Sequence, residues 1–230
     1  MEILSAAETQ ALLLSLKVSA VGVGCALPIA AIAAAGLARA RFLGKSLVEG
    51  ALYVPLALPP VVVGYLLLII LGTRAPAGAW LLEHAGIRFV FSWTGAALAS
   101  GLITFPFQVR AIRLAIETID SGLDDAAEIL GAGRFDRLVN LTLPLALPGI
   151  LAGAITAFAA SLGEFGAIIT FVSNIPGETR TLPLAIYSAL QTPGGEAEAA
   201  RLSVLSILLA LAGITLSELI NRRARTVVGR

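Results

Sequence analysis

The residues best suited to chemistry are few, and the first to consider are Gly44, Lys45 and Ser46. They have the order of the last three residues of a phosphate-binding loop, in which backbone N–H groups and a lysine hold the phosphates of a nucleotide. That loop also needs a glycine five residues before Gly44, where Arg39 stands. We therefore expect that this chain does not bind ATP itself.

The other reactive side chains are isolated in the sequence. Cys25 is the single cysteine and His84 the single histidine. A metal site needs several cysteine, histidine or carboxylate ligands, and covalent catalysis needs a nucleophile beside a base. The sequence offers neither arrangement. We therefore expect no metal site, no catalytic residue and no cofactor bound by this chain, which is not predicted to be an enzyme.

Glu164 is the ionisable residue with the most informative position. It follows an uncharged run that starts near Leu138, and a helix starting there has risen about 39 Å at Glu164. The hydrocarbon core of a bilayer is only about 30 Å thick, so Glu164 is expected near the outer interface. It is either a structural carboxylate that fixes an outer gate through backbone N–H groups, or a solvated interfacial glutamate.

The composition indicates which elements must position these residues. The chain is 57% hydrophobic and 13% charged, whereas soluble domains are roughly half apolar and a quarter charged. The net charge of +1 gives no reason to expect a nucleic-acid partner. Uncharged runs of this length predict membrane-spanning helices in a lipid bilayer, and so an all-α polytopic membrane protein.

Five spans are predicted within a transmembrane domain of residues 12–218, between an N-terminal segment (1–11) and a cytoplasmic basic tail (219–230). The spans cover about residues 15–38, 50–73, 89–113, 138–163 and 200–220. Prolines in the first half of the second span predict a bent segment packed inside protein, because freed backbone groups need partners. Residues 74–88 are expected to form a polar loop, and residues 181–195 a short helix or hairpin rather than a crossing. Small residues recur every four positions in the fourth span, which favours close helix contact; they are Gly149, Gly153, Ala157 and Ser161.

Residues 120–137 form the one long hydrophilic interval in the middle of the chain. Asp120 or Ser121 can cap a helix, and three acidic residues follow in the first turns, where the helix dipole favours negative charge. Gly131 and Gly133 are expected to end this helix. Its apolar residues recur at three and four positions and share one face; they are Leu123, Ala126, Ala127 and Leu130.

This interval resembles the Glu-Ala-Ala loop of importer-type ABC transporter permeases. That pattern places a glycine four residues after the second alanine, then an isoleucine, then Leu-Pro. Here Asp125 replaces the glutamate and Leu141 the isoleucine, with the spacing kept. The resemblance implies a coupling helix that sits in a groove of a cytoplasmic ATPase. The implied ATPase-coupling residues are Asp125, Ala126, Ala127, Gly131, Leu143 and Pro144.

A second resemblance covers nearly the whole chain. Ser161–Ala167, Ile169–Thr181 and Gln191–Glu196 are similar to the corresponding stretches of bacterial molybdate permeases. Sulfate permeases share the Leu-Gly-Glu-Phe/Tyr-Gly portion but match Asn174–Thr181 less well. Molybdate is therefore the favoured substrate, and sulfate, thiosulfate or tungstate remain alternatives.

The resemblance implies a type I ABC importer permease fold and a bacterial inner membrane location. The implied partners are a second permease chain, two cytoplasmic ATPase subunits that carry ATP and Mg, and an extracytoplasmic molybdate-binding protein. An oxyanion on its path needs hydrogen-bond donors, and each donor here is also a plausible packing hydroxyl. The candidates for the path or gate are Thr104, Thr156, Ser161, Glu164, Thr170, Ser173 and Asn174.

Orientation follows from the basic residues. With five crossings and residues 120–137 inside, 11 of the 16 Lys and Arg residues lie on the inner side. The excess agrees with the positive-inside rule and places the N-terminus outside and the C-terminus in the cytoplasm. The alternative of an ATP-independent anion transporter or channel requires ionisable residues buried at mid-membrane, and the sequence shows none convincingly there. The five outer residues are Lys17, Arg74, Arg88, Arg180 and Arg201.

Overall fold

The computed structural model describes residues 4–39 and 42–228. The described chain is helical, and the all-α fold predicted from the sequence is confirmed. The helices are α1 Ala6–Arg39, α2 Lys45–Ala57, α3 Pro60–Leu71, α4 Pro76–Ala85, α5 Trp93–Glu117, α6 Ser121–Ile129, α7 Arg134–Asp136, a π-helix Arg137–Thr142, α8 Leu143–Leu162, α9 Gly166–Val172, α10 Leu182–Leu190 and α11 Glu196–Val228.

Four stretches are long and apolar enough to cross a membrane. They are α1, α5, the continuous run Arg134–Leu162 and the part of α11 from Glu196 to Ile220. Helices α2 and α3 pass the same test only as a pair, bent by 106°. The described residues therefore provide four spans, or five when the bent pair is counted as one.

The long helices pack so that the two ends of the molecule can be distinguished. Helices α1 and α5 run in the same direction, because Lys17 lies 3.5 Å above the ring of Trp93 near one end and Leu37 packs with Ile112 and Ile116 near the other. Helix α8 runs back along them. The end that carries α6 is called the coupling end below, and the end that carries Glu164 is called the far end.

Close approach of these helices depends on small residues. A Cβ added at Gly101 would lie 2.7 Å from the carbonyl oxygen of Gly22, so that α1 and α5 touch backbone to backbone. A Cβ at Gly153 would lie 2.7 Å from the Cβ of Ala111. The small-residue stripe predicted in the fourth span therefore faces α5, and the prediction of close helix contact is confirmed.

The bend between α2 and α3 follows from proline chemistry. Leu58 is extended (φ −81°, ψ 145°), as expected for a residue before proline, and Pro60 opens α3 at a position where its missing N–H is not needed. The predicted bend is confirmed. The predicted packing of this half inside protein is wrong for the single chain, because α2 has no buried residue.

Two other segments differ from the predictions, and one agrees with its prediction. Residues 74–88 contain helix α4 rather than a polar loop, because Pro76 starts a helix and Gly86 (φ +65°) ends it. Residues 181–195 contain α10, whose nine residues are too short to cross, as predicted. The predicted tail from residue 219 continues α11 as far as Val228. Predictions that involve residues 1–3, Arg41 of the inner basic loop and Arg230 of the tail lie outside the described residues.

Candidate functional site

Helix α6 at the coupling end is built as the sequence predicts at its start. Asp120 is the N-cap, and its Oδ1 accepts a hydrogen bond from the backbone N–H of Gly122 at 2.8 Å. At the other end Gly131 has φ +88°, and the N–H of Ala132 donates to the carbonyl of Ala127 at 2.9 Å. This is a Schellman ending, which needs a residue in the left-handed region. Gly133 has an extended backbone and precedes α7 instead of ending α6.

The apolar face of α6 is exposed. None of the nine residues of α6 is buried, and the side chain of Leu130, just after the helix, is 87% exposed. Of the motif residues, Asp125 and Ala126 are exposed and Ala127 is half-buried. Other large apolar side chains beside them are also exposed, and these are Leu123, Ile129 and Phe135. Such a patch is typical of a surface that binds a partner protein.

The Leu-Pro pair of the motif opens α8. Leu143 is half-buried and Pro144 is exposed, directly after the π-helix. Proline at this position lacks the N–H that a continuous α-helix would use, and the chain widens to a π-helix just before it. Short π-helices inside α-helices are frequent at functional sites.

Charged side chains fasten α6 to the spans. Arg137 of the π-helix contacts the Glu128 carboxylate, and Arg39 at the end of α1 lies 3.5 Å from Asp124. The hydrogen bond and positive charge of Arg137 lower the pKa of Glu128. The sequence reading assigned these acids only to the helix dipole and did not identify their partners.

Two of the path candidates lie buried between spans. Ser161 bonds to Ser100 and donates to the hydroxyl of Ser19 at 2.8 Å, so one hydroxyl cluster joins α8, α5 and α1. Thr104 donates to the carbonyl of Ser100 at 2.9 Å. Their side chains are 3% or less exposed. Thr156 is exposed, and its hydroxyl lies 2.9 Å from that of Ser217 in α11.

The remaining candidates meet at the far end. The Oε1 of Glu164 accepts a hydrogen bond from the N–H of Ala167 at 2.8 Å in the first turn of α9, and Glu164 is 8% exposed. Of the two interpretations of this residue, the geometry agrees with the carboxylate bonded to backbone. Thr170, also on α9, donates to the carbonyl of Gly166.

Ser173 and Asn174 begin the loop after α9. Ser173 is exposed and has φ +67° and ψ −169°, a conformation adopted almost only by glycine. Buried Thr179 supports it, because its hydroxyl donates to the carbonyl of Ser173 at 2.9 Å. Asn174 donates to Ser188 of α10 at 2.7 Å and accepts from Arg180 at 3.0 Å. The loop is therefore held rigidly against α10.

An ionic contact at the far end was not predicted from the sequence. Ser5 and Glu8 form a capping box at the start of α1, in which each side chain accepts from the other's backbone N–H. Arg201 of α11 donates to Glu8 at 2.9 Å, and the Glu8 side chain is 1% exposed. The spacing Ser-x-x-Glu before an apolar run is the signal for the box. The pairing with Arg201 has no local signal.

The chain is similar to known transport proteins along most of its length. Residues 26–226 match the family model described as binding-protein-dependent transport system inner membrane component. The Molybdenum transport system permease protein ModB of Escherichia coli (strain K12) is 54% identical over 99% of this chain and 100% of its own length. The Sulfate transport system permease protein CysT of the same organism is 34% identical over 84% of this chain and 69% of its own.

Among solved structures, the fold is similar to a chain of a bacterial alginate ABC transporter in complex with an alginate pentasaccharide-bound periplasmic protein. The TM-score is 0.74 at 20% sequence identity, over 95% of this chain and 80% of that one. At this identity the likeness shows the shared fold.

Proposed function

The chain belongs to the family of binding-protein-dependent transport system inner membrane components, and we propose that it is the permease subunit of an ABC importer for molybdate in the inner membrane. The observation that carries this proposal is the 54% identity to a molybdenum permease across 99% of the chain. The sulfate permease is 34% identical over a smaller part, so molybdate is favoured over sulfate.

The energy for transport comes from a separate pair of cytoplasmic ATPase subunits, which bind ATP and Mg. Their proposed docking surface is α6 with the exposed side chains of Leu123, Ile129, Leu130 and Phe135. Asp125 and Ala126 lie on the same exposed helix. Binding of ATP closes the ATPases, α6 transmits that motion to the spans, and hydrolysis resets the path. The oxyanion is delivered at the far end by an extracytoplasmic binding protein.

A second copy of this chain is the proposed partner within the membrane. Val61, Tyr65 and Ile69 of α3 lie on one face and are each more than half exposed. The opposite face of α3 is buried through Val63 and Leu67. A bend of 106° interrupts helical hydrogen bonding beside this face, and irregular backbone at membrane depth has to be covered by protein or by a water-filled cavity. In a homodimer the second chain would cover the bend with protein. The water-filled transport path would lie between the two chains.

Candidate path residues divide into two sets in this proposal. Thr156, Thr170, Ser173 and Asn174 are exposed or half-buried in this conformation, and Thr156, Thr170 and Asn174 would have to exchange a hydrogen bond within the chain for one to the oxyanion. Thr104 and Ser161 are buried between helices and reach the path only after the helices have moved. Glu164 shapes the outer gate by holding the first turn of α9.

The proposed function is tested by ATP hydrolysis of the reconstituted complex with its binding protein. Molybdate is expected to stimulate hydrolysis and to be taken up into proteoliposomes, whereas sulfate at the same concentration is expected to do neither. Tungstate has the charge and shape of molybdate and serves as the positive comparison. Stimulation by sulfate alone, or uptake by this chain without the ATPase, would contradict the proposal.

A further inference from the structure

Arg137 joins α6 to the π-helix that precedes α8. Asp124 and Glu128 are four residues apart and therefore on the same side of α6. The Nη1 of Arg137 contacts the Glu128 carboxylate, donates to the backbone carbonyl of Asp124 at 3.4 Å and lies 3.7 Å from Oδ2 of Asp124. The side chain of Arg137 is 10% exposed.

A second arginine joins the same cluster from another span. The Nη2 of Arg39, at the end of α1, lies 3.5 Å from Oδ1 of Asp124 and donates to the hydroxyl of Thr142. That hydroxyl in turn donates to the carbonyl of Arg137 at 3.2 Å. The last turn of α1, the π-helix before α8 and the inner side of α6 thus meet in five residues. We call this cluster the coupling clamp: Arg39, Asp124, Glu128, Arg137 and Thr142.

The members of the clamp differ in how firmly they are held. An exposed ion pair contributes little because water and salt screen it, but Arg137 is buried, and its planar guanidinium fixes the directions of its N–H groups. Asp124 lies between two arginines, at distances of 3.5 Å and 3.7 Å, and its Oδ1 accepts no hydrogen bond. Glu128 is 68% exposed and Asp124 35% exposed, so buried Arg137, rather than either carboxylate, is the fixed member of the clamp.

We propose that Arg137 is a positioning residue that makes α6 move as one body with α1 and α8, so that displacement of α6 by the ATPase reaches the spans. Without Arg137, α6 keeps two short connections to α5 and α7 and the contact of Asp124 with Arg39 at 3.5 Å, but it has no charged side-chain contact with the π-helix before α8 and can tilt relative to that span. This inference rests on the proposed function, in which α6 is the coupling helix. It adds that Arg137 is the residue through which the docked ATPase moves the spans.

The test compares Arg137→Ala, Arg137→Lys and Glu128→Gln in the complete reconstituted importer. Molybdate uptake and ATP hydrolysis are measured on the same proteoliposomes. In Arg137→Ala we expect molybdate transported per ATP to fall about tenfold, within the range of coupling changes caused by single substitutions, while the ATPase still copurifies. Arg137→Lys keeps one cation for Glu128 but places it on a more flexible side chain, and should restore part of the ratio.

The matched control is Arg222→Ala. Arg222 makes a comparable pair with Glu218 at 2.8 Å, but it is exposed and lies on α11, away from α6. Its removal should leave the ratio of molybdate to ATP unchanged. A parental ratio in Arg137→Ala would overturn the proposal, as would an equal loss of the ratio in Arg222→Ala. If Arg137→Ala fails to assemble, Arg137→Lys and Glu128→Gln decide by the same criterion.

A second readout does not depend on the substrate. Hydrogen exchange of residues 121–130 in the assembled complex should be faster in Arg137→Ala than in the parent, whereas exchange in the middle of α8 should stay the same. Equal exchange in α6 would overturn the clamp. A parent complex that transports no molybdate would contradict the proposed function, and the exchange comparison would still decide the role of Arg137.

Discussion

Two glycines of the coupling loop, two residues apart, have different roles. Gly131 has φ +88°, and an added Cβ would have open space around it. Its requirement for glycine is therefore conformational, because in the left-handed region the Cβ of an L-residue lies too close to the following carbonyl oxygen. Gly133 also has open space, but its φ of −69° suits any residue. The left-handed ending of α6 therefore accounts for the glycine of the motif.

A pair of alanine substitutions tests this difference at the residue scale. Gly131→Ala should cost about 1–2 kcal/mol in the geometry of the α6 ending, which corresponds to roughly a 5- to 30-fold loss in the population of the correct ending. Molybdate uptake and copurification of the ATPase should both decrease. Gly133→Ala should behave like the parent. Equal activity of the two variants would show that the left-handed turn has no part in coupling.

At the scale of elements, α1 and α5 touch backbone to backbone. Gly22 and Gly101 face each other, and a Cβ on Gly101 would come within 2.7 Å of the backbone of α1. Lipid tails are as apolar as side chains, so association in the membrane depends on packing and on hydrogen bonds between helices. The hydroxyl cluster of Ser19, Ser100 and Ser161 lies at this contact and supplies hydrogen bonds between the helices. The interpretation of Ser161 as a hydroxyl that packs between helices therefore has a structural basis.

Gly22 and Gly24 lie on nearly opposite faces of α1 and give a matched test of this contact. Gly22→Ala forces α1 away from α5 and should lower the free energy of unfolding by about 1–3 kcal/mol, the usual cost of overpacking. Gly24→Ala meets nothing within 4 Å and should be neutral or slightly stabilising, because alanine favours helix more than glycine does. The measurement is the thermal unfolding midpoint in detergent. A lower midpoint in Gly24→Ala than in Gly22→Ala would contradict the packing argument.

At the scale of the whole molecule, the spans extend beyond the bilayer at the far end. Helix α1 has 34 residues and is therefore about 51 Å long, against about 30 Å of hydrocarbon. Lys17 over Trp93 marks an interface, because tryptophan and lysine favour that level. The first three turns of α1 then stand outside the hydrocarbon, where Glu8 pairs with Arg201 of α11. The N-terminal end of α1 and α6 thus lie at opposite ends of the molecule.

Cysteine labelling tests the proposed orientation of these ends. In a Cys25→Ser background, Glu196→Cys places an exposed thiol at the far end and Leu123→Cys places one on α6. A membrane-impermeant maleimide should label position 196 in spheroplasts and position 123 only after permeabilisation, because 11 of 16 basic residues lie on the side of α6 under the positive-inside rule. Labelling of position 123 in intact spheroplasts would reverse the topology.

The ion pair of Glu8 with Arg201 at the far end could be predicted from the sequence only in part. The start of α1 is a local pattern, since Ser5 and Glu8 cap one helix and are three residues apart. The partner of Glu8 is 193 residues away, and no local rule connects the two. The same holds for Arg39 and Asp124 in the coupling clamp. Asp124, which the sequence assigned only to the helix dipole, gains Arg39 as a partner through the packing of α1 against α6.

The sequence by itself determined the helical membrane fold, the bend before α3, the short α10 and the start of α6, because each depends on neighbouring residues. Lipid offers no hydrogen bonds, so an apolar run becomes a helix wherever it is found. Only the tertiary structure decided that Ser161 and Thr104 are buried, that α2 lies uncovered in the single chain, and that Arg137 holds α6. These properties depend on which helices pack against each other and on their relative positions along the helix axes. Contacts between different helices determine both.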